Sequence, residues 1–170
     1  MDIKSIIRTI PDYPKPGIMF RDVTTLLGNA RAFRTTVDLL VQPYAGTRID
    51  KVAGIEARGF IIAAPVAYRL GAGLVPVRKK GKLPYDVRGI DYTLEYGAER
   101  LEVHSDAVSA GDKVVVIDDV LATGGTARAA CEILRELEAD IVGVGVVIEL
   151  SFLPGRETLG DIDVFSLITY

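Results

Sequence analysis

Two adjacent carboxylates, Asp118 and Asp119, stand just ahead of Ala122-Thr123-Gly124-Gly125-Thr126, and no other stretch of the chain joins residue types so suited to chemistry. The five small residues let successive backbone N–H groups point into one concavity, with two hydroxyls added, and such a nest at the start of a helix holds an anion. A phosphate alone would be repelled by the aspartates. The ligand must therefore also bring hydroxyls or a hard cation to them, and a sugar phosphate carrying Mg²⁺ meets both demands.

The flanking elements would hold these groups in place. Val114-Val115-Val116-Ile117 is apolar without alternation, which predicts a strand covered on both faces as in a parallel sheet. After the glycines, a helix is expected over Ala127 to Glu138, with Ala130, Ile133, Leu134 and Leu137 on one side. A second strand-loop-helix unit precedes it: Lys51 to Ile55, then Glu56-Ala57-Arg58-Gly59, then a helix from Phe60 to Leu70 bent at Pro65 and closed by Gly71. Another strand, Gly73 to Arg78, runs into the basic Lys79-Lys80-Gly81-Lys82. In an open α/β sheet such strand ends are where ligands bind.

The remaining segments read as scaffold and cover. Asp2 caps a helix carrying Ile3, Ile6, Ile7 and Ile10, stopped by Pro11, and the three prolines of 11–17 predict a stiff extended connector. It leads to Ile18-Met19-Phe20-Arg21-Asp22. A helix from Asn29 to about Gln42 follows, with Phe33, Val37 and Leu40 at core spacing. Leu83 to Asp91 reads as a mobile loop, and Tyr92 to Gly97 with Arg100 to His104 as the arms of a hairpin. His104, the single histidine, reads as structural or exposed. Strands Ile141 to Leu150 and Asp163 to Thr169 complete the sheet.

Composition narrows the function. The 170 residues, 49% hydrophobic and 25% charged, suit one domain spanning 1–170. A net charge of −3 without a basic stripe argues against nucleic-acid binding. Cys131, the single cysteine, falls on the helical core stripe, so no internal disulfide is expected. No cationic start followed by an apolar run is present, nor a membrane-length apolar stretch, and the expected compartment is the cytoplasm with no membrane partner. The glycine motif lacks the Gly-Lys-Ser/Thr ending of an NTPase loop. Gly143-Val144-Gly145 lacks the third glycine and the following helix of a dinucleotide site.

The stretch Val114 to Thr126 resembles the 5-phosphoribosyl-1-pyrophosphate (PRPP) motif of the type I phosphoribosyltransferases. With the other segments, the chain is similar along nearly its whole length to the members of that family that act on adenine. The resemblance implies an α/β fold: a mostly parallel twisted sheet flanked by helices, a small N-terminal hood over 1–28 and a flexible loop or hairpin. It implies transfer of the phosphoribosyl group from Mg-PRPP to N9 of adenine, giving AMP and pyrophosphate, by a homodimer.

Residue roles come with it. Ala122, Thr123, Gly124, Gly125 and Thr126 would hold the 5-phosphate; Asp118 and Asp119 would meet the ribose hydroxyls and the Mg²⁺ that enters with PRPP, no metal being held by the protein alone. Pyrophosphate would fall to Arg58, Arg78, Lys79 and Lys82, beside a cis Glu56–Ala57 peptide. Adenine would lie between Phe20 and Leu150, read by the backbones of Met19 and Arg21, with Glu95 as the catalytic proton handler and Tyr96 beside it on the lid. The residues themselves leave open hypoxanthine, guanine or xanthine as the base, and a PRPP-sensing regulator as another class, although such a regulator needs a basic surface or an added winged helix.

Overall fold

Apolar residues from Val114 to Ile117 have to be covered on both sides, and the sheet is built accordingly. The structure, a computed structural model, describes residues 2–94 and 97–170. Its strands are β1 (Arg8–Ile10), β2 (Phe20–Asp22), β3 (Lys51–Ile55), β4 (Gly73–Lys79), β5 (Val87–Leu94), β6 (Gly97–His104), β7 (Lys113–Leu121), β8 (Asp140–Glu149) and β9 (Val164–Thr169). The helices are α1 (Thr24–Leu27), α2 (Ala30–Val41), α3 (Arg58–Leu70), α4 (Gly125–Glu136) and α5 (Gly155–Leu159).

Seven strands form one sheet in the order β5-β6-β4-β3-β7-β8-β9. β4, β3, β7, β8 and β9 run parallel, and the β5–β6 hairpin joins antiparallel at β4. Along β7, Val114 and Val116 pack with Ala130, Ile133 and Leu134 of α4, while Val115 and Ile117 face the opposite layer with Leu40 of α2 and Ile62 and Val66 of α3. The strand is apolar throughout because each face has its own core. Cys131 lies fully buried in the α4 layer, where burial pushes its thiol up to about 12 and leaves it unreactive.

Two glycines on the strands let helices approach. A Cβ on Gly54 would lie 2.7 Å from that of Ala63 in α3, and one on Gly145 would lie 2.8 Å from the Ile117 side chain. Gly145 is thus a packing residue. From β3 the chain crosses to β4 on one side and later returns to β7 on the other, so strand order reverses between β3 and β7. The crevice at such a reversal, beyond the carboxyl ends of the strands, is where this architecture binds ligands.

Several local expectations change. The N-terminal isoleucines form no α-helix: a 3₁₀ turn, Lys4–Ile6, leads into β1, which pairs antiparallel with β2. A helix closed so soon by Pro11 could not repay its nucleation, whereas pairing satisfies the backbone of both strands. Asp2 Oδ1 accepts from the Lys4 N–H at 3.0 Å, but the residue at the cap of the 3₁₀ turn is Ile3, which has no side-chain cap bond. Residues 11–17 fold back instead of extending, since this segment must reverse the chain between β1 and β2; Asp12 takes φ 55°, Tyr13–Pro14 is cis, and the Gly17 N–H donates to Asp12 Oδ1 at 2.7 Å. β5 claims Val87–Asp91 from the expected loop because these residues find partners on β6 from His104 to Arg100. Asp118 and Asp119 lie on β7 itself, which stays paired to β8 as far as Leu121, and α4 begins two residues early, at Gly125.

Candidate functional site

The two loops at the strand reversal differ in construction. After β3, Glu56–Ala57 is a cis peptide and α3 starts at once with Arg58. A Cβ on Gly59 would lie 2.9 Å from Asp118 Oδ1 and 3.1 Å from the Ile117 carbonyl, so only glycine lets the start of α3 approach β7 this closely. After β7, Gly124 caps α4 with φ 85°, and a Cβ there would lie 2.6 Å from the Gly155 carbonyl. Gly155 in turn approaches Ala122, where its own Cβ would be 2.6 Å from that carbonyl. α5, which the sequence did not disclose, therefore backs the anion nest.

Between these loops lies a cavity of about 800 Å³. Its wall includes Met19, Phe20, Arg21 and Leu150 together with Arg58, Lys79 and Lys82, and the Arg58 guanidinium carbon lies 5.7 Å from the Phe20 ring centroid. Asp118 and Asp119 are on the same wall, and the glycine loop reaches the cavity through Ala122 and Thr126. Thr123, Gly124 and Gly125 are not on its wall. Thr123 is exposed, Gly124 lies against Gly155, and Gly125 faces β5, with the Thr93 carbonyl and the Tyr92 ring each 3.8 Å from where its Cβ would sit. Glu95 and Tyr96, expected as proton handler and lid residue, lie outside the described residues.

The carboxylates and cations of the site are paired with one another. Asp119 is almost fully buried and accepts a charge-assisted hydrogen bond from Arg58. Asp118 Oδ1 accepts from the Asp119 N–H at 2.8 Å, while burial and then the neighbouring Asp119 charge hold its carboxyl well above the usual carboxylate range. Lys79 reaches Glu99 at 3.0 Å, and this hydrogen bond raises the lysine above its ordinary value. Arg78, expected to face the same ligand, is not on the cavity wall. Its guanidinium turns to Glu56 at 3.2 and 3.4 Å and to the Lys82 carbonyl at 3.2 Å, because Glu56 is the carboxylate held beside it by the Lys79 N–H at 3.0 Å.

Tyr92 and Glu99 were not singled out from the sequence. They are cross-strand partners in the hairpin, line the cavity, and are joined by the Tyr92 hydroxyl donating to Glu99 at 3.1 Å; Thr126 donates to that hydroxyl at 3.4 Å. Starting the second hairpin arm at Gly97 rather than Arg100 would have revealed the pair, since Glu99 then stands opposite Tyr92 on one face. His104 lies at the end of β6, edge-on to Tyr85 at 6.1 Å, away from the cavity wall.

A carboxylate pair on a strand end, a glycine nest opening a helix and a facing cation on a second loop define a class of sugar-phosphate transferases. A family model described as the phosphoribosyl transferase domain matches residues 26–168. The adenine phosphoribosyltransferase of Rhizobium meliloti is 59% identical over 158 residues, which is 93% of this chain and 88% of that protein. Among solved structures, the adenine phosphoribosyltransferase of Thermoanaerobacter pseudethanolicus is 47% identical with a TM-score of 0.96, covering 99% of this chain and 98% of that one. That of Saccharomyces cerevisiae, complexed with adenine and an imino-altritol bisphosphate, is 38% identical with a TM-score of 0.93, covering 98% and 96%. The chain belongs to the phosphoribosyltransferase family, among the adenine phosphoribosyltransferases.

Proposed function

We propose that the protein transfers the 5-phosphoribosyl group of Mg-PRPP to N9 of adenine, forming AMP and pyrophosphate, as one catalytic domain with residues 1–28 as its hood. One observation carries the reading: a single cavity is lined by the apolar pair Phe20 and Leu150, the two strand-end aspartates and the opening of the glycine nest. The relatives support it by name, and the yeast structure holds adenine together with a bisphosphate.

In this reading the free N–H groups at the start of α4, with Thr123 and Thr126, take the 5-phosphate where the helix dipole favours an anion. Arg58, Lys79 and Lys82 take pyrophosphate, with Arg58 and Lys79 exchanging their carboxylate partners for phosphate oxygens. Asp118 and Asp119 accept from the ribose hydroxyls. Among the described residues no three carboxylate, histidine or cysteine groups cluster to hold a metal. Mg²⁺ would be met by these two aspartates and would neutralise leaving-group charge. Glycosidic bond breaking builds positive charge at the anomeric carbon, so positioning and exclusion of water supply most of the rate.

Adenine presents an amino donor beside an acceptor nitrogen, and the backbones of Met19 and Arg21 read that edge. Hypoxanthine inverts both groups and would leave buried polar groups unpaired, which permits discrimination of about 10⁴-fold. Glu95 follows Tyr92 by three residues and serves the proton at the imidazole edge, with Tyr96 beside it. The active form is a homodimer in the cytoplasm. No described helix is long and apolar enough to cross a membrane. The exposed Ile61 and Tyr68, seven residues apart on α3, with Leu74 on β4, offer an apolar face for a second copy. Incubating the protein with Mg-PRPP and each purine base separately, and identifying the nucleotide formed, tests the reaction. AMP from adenine alone is expected, and nucleotide from hypoxanthine at a comparable rate would overturn the base assignment.

A further inference from the structure

We propose that Tyr170 is a positioning residue that sets the gap between the two walls of the base slot, an inference that rests on the adenine reading above. One wall, Phe20, belongs to the β1–β2 pair, which shares no strand pairing with the seven-stranded sheet; the other, Leu150, directly follows β8 of that sheet. Their separation therefore depends on contacts made across the gap by other groups, and Tyr170 touches both sides.

Its backbone is fixed to the Leu150 side. The Tyr170 N–H donates to the Glu149 carbonyl at 2.9 Å, and the Tyr170 carbonyl accepts from the Ser151 N–H at 2.9 Å and the Ser151 hydroxyl at 2.8 Å. Its ring is fixed to the hood. The Arg21 guanidinium carbon lies 3.8 Å from the ring centroid, and the Lys4 ammonium lies 4.4 Å from it while donating to the Thr169 carbonyl at 2.6 Å. Arg21 spends one nitrogen on the Thr9 hydroxyl, but its Nε is buried without a hydrogen-bond partner among the described residues. The negative face of the Tyr170 ring packs on that half-buried cation. Arg21 immediately follows Phe20, so the stack fixes the backbone that carries one wall and the base-reading edge.

The test uses the full chain and steady-state rates in which adenine and Mg-PRPP are varied separately, with thermal unfolding alongside. Tyr170→Leu should raise the KM for adenine about tenfold, the size of a half-buried cation–π contact, while the KM for PRPP stays within about twofold. Tyr170→Phe keeps the ring and the backbone bonds and should behave as wild type. Lys4→Met, which removes one of the two cations from an exposed position, should raise the adenine KM by a smaller factor at unchanged Tm. An adenine KM that is unchanged in Tyr170→Leu overturns the proposal, as do equal rises in both KM values with a fallen Tm, which would mark general loosening. A wild-type protein that turns over no adenine overturns the reaction itself and is read from the same plate.

Discussion

At the scale of single residues, the two glycines of the anion nest make separable predictions. Gly124 has φ 85° and no room for a Cβ beside Gly155, whereas Gly125 has neither constraint. A left-handed alanine costs about 1–2 kcal/mol before any clash, so Gly124→Ala should lower the Tm visibly. Gly125→Val should fold and raise the KM for PRPP steeply, because its branches would press on the Thr93 carbonyl and on the Tyr92 ring, which lines the cavity and bonds Thr126 of the nest. Unchanged PRPP kinetics in a folded Gly125→Val protein would remove the nest from the site. The proposed proton handler is tested in the same way: Glu95→Gln and Glu95→Leu should each lower kcat far more than they weaken PRPP binding, with Leu at least as damaging. Normal turnover by both variants would leave the imidazole proton to another group.

At the scale of elements, the short helix α5 is tied to the sheet by one charged cluster. Arg156 donates to both oxygens of Glu149 at 2.6 and 2.8 Å and to the Val164 carbonyl at 2.9 Å, and Ser166 donates to Glu149 at 2.6 Å. The hydrogen bond from Arg156, and after it that from Ser166, hold the Glu149 carboxyl below its ordinary value against the opposing effect of burial. A depressed carboxylate stabilises the fold above its unfolded value, near 4.3, and that contribution is lost as pH falls through the lower folded value. Wild type should therefore lose stability on acidification below about pH 4.3, and Glu149→Gln should lose less over the same window. Arg156 is half exposed, so solvent screening limits Arg156→Leu to about 1 kcal/mol, or about 2–4 °C in Tm. Because α5 carries Gly155 against the nest, Arg156→Leu should also raise the KM for PRPP. A lowered Tm with PRPP kinetics untouched would uncouple α5 from the phosphate loop.

At the scale of the molecule, Ile61, Tyr68 and Leu74 present an apolar face that a monomer would leave in water. Sedimentation of the wild type should show a dimer, and Tyr68→Glu or Ile61→Glu should shift it towards monomer with loss of activity on dilution. A fully active monomer at assay concentration would count against the assembly.

What the sequence determined by itself was whatever depends on neighbours along the chain. The apolar run of β7 and the stripe of α4 follow from local periodicity, as do the Asn29 cap, which accepts from the Ala32 N–H at 3.0 Å, and Gly71, which ends α3 at φ 67°. The Asp118-Asp119 and glycine-loop motif belongs to the same kind, since its parts lie within nine residues. The parts left to the tertiary structure depend on residues distant in sequence. The isoleucines of 3–10 follow a helical pattern, and β2 overrides it by offering its backbone to Arg8–Ile10. Arg58 and Asp119, or Arg78 and Glu56, meet because neighbouring elements of the sheet are brought side by side, so a cation that the resemblance sets against the ligand finds a carboxylate first. Gly155 against Gly124, Tyr92 against Thr126 and Tyr170 against Arg21 are contacts between segments that carry no mutual sequence signal, because only the packed sheet brings them within reach.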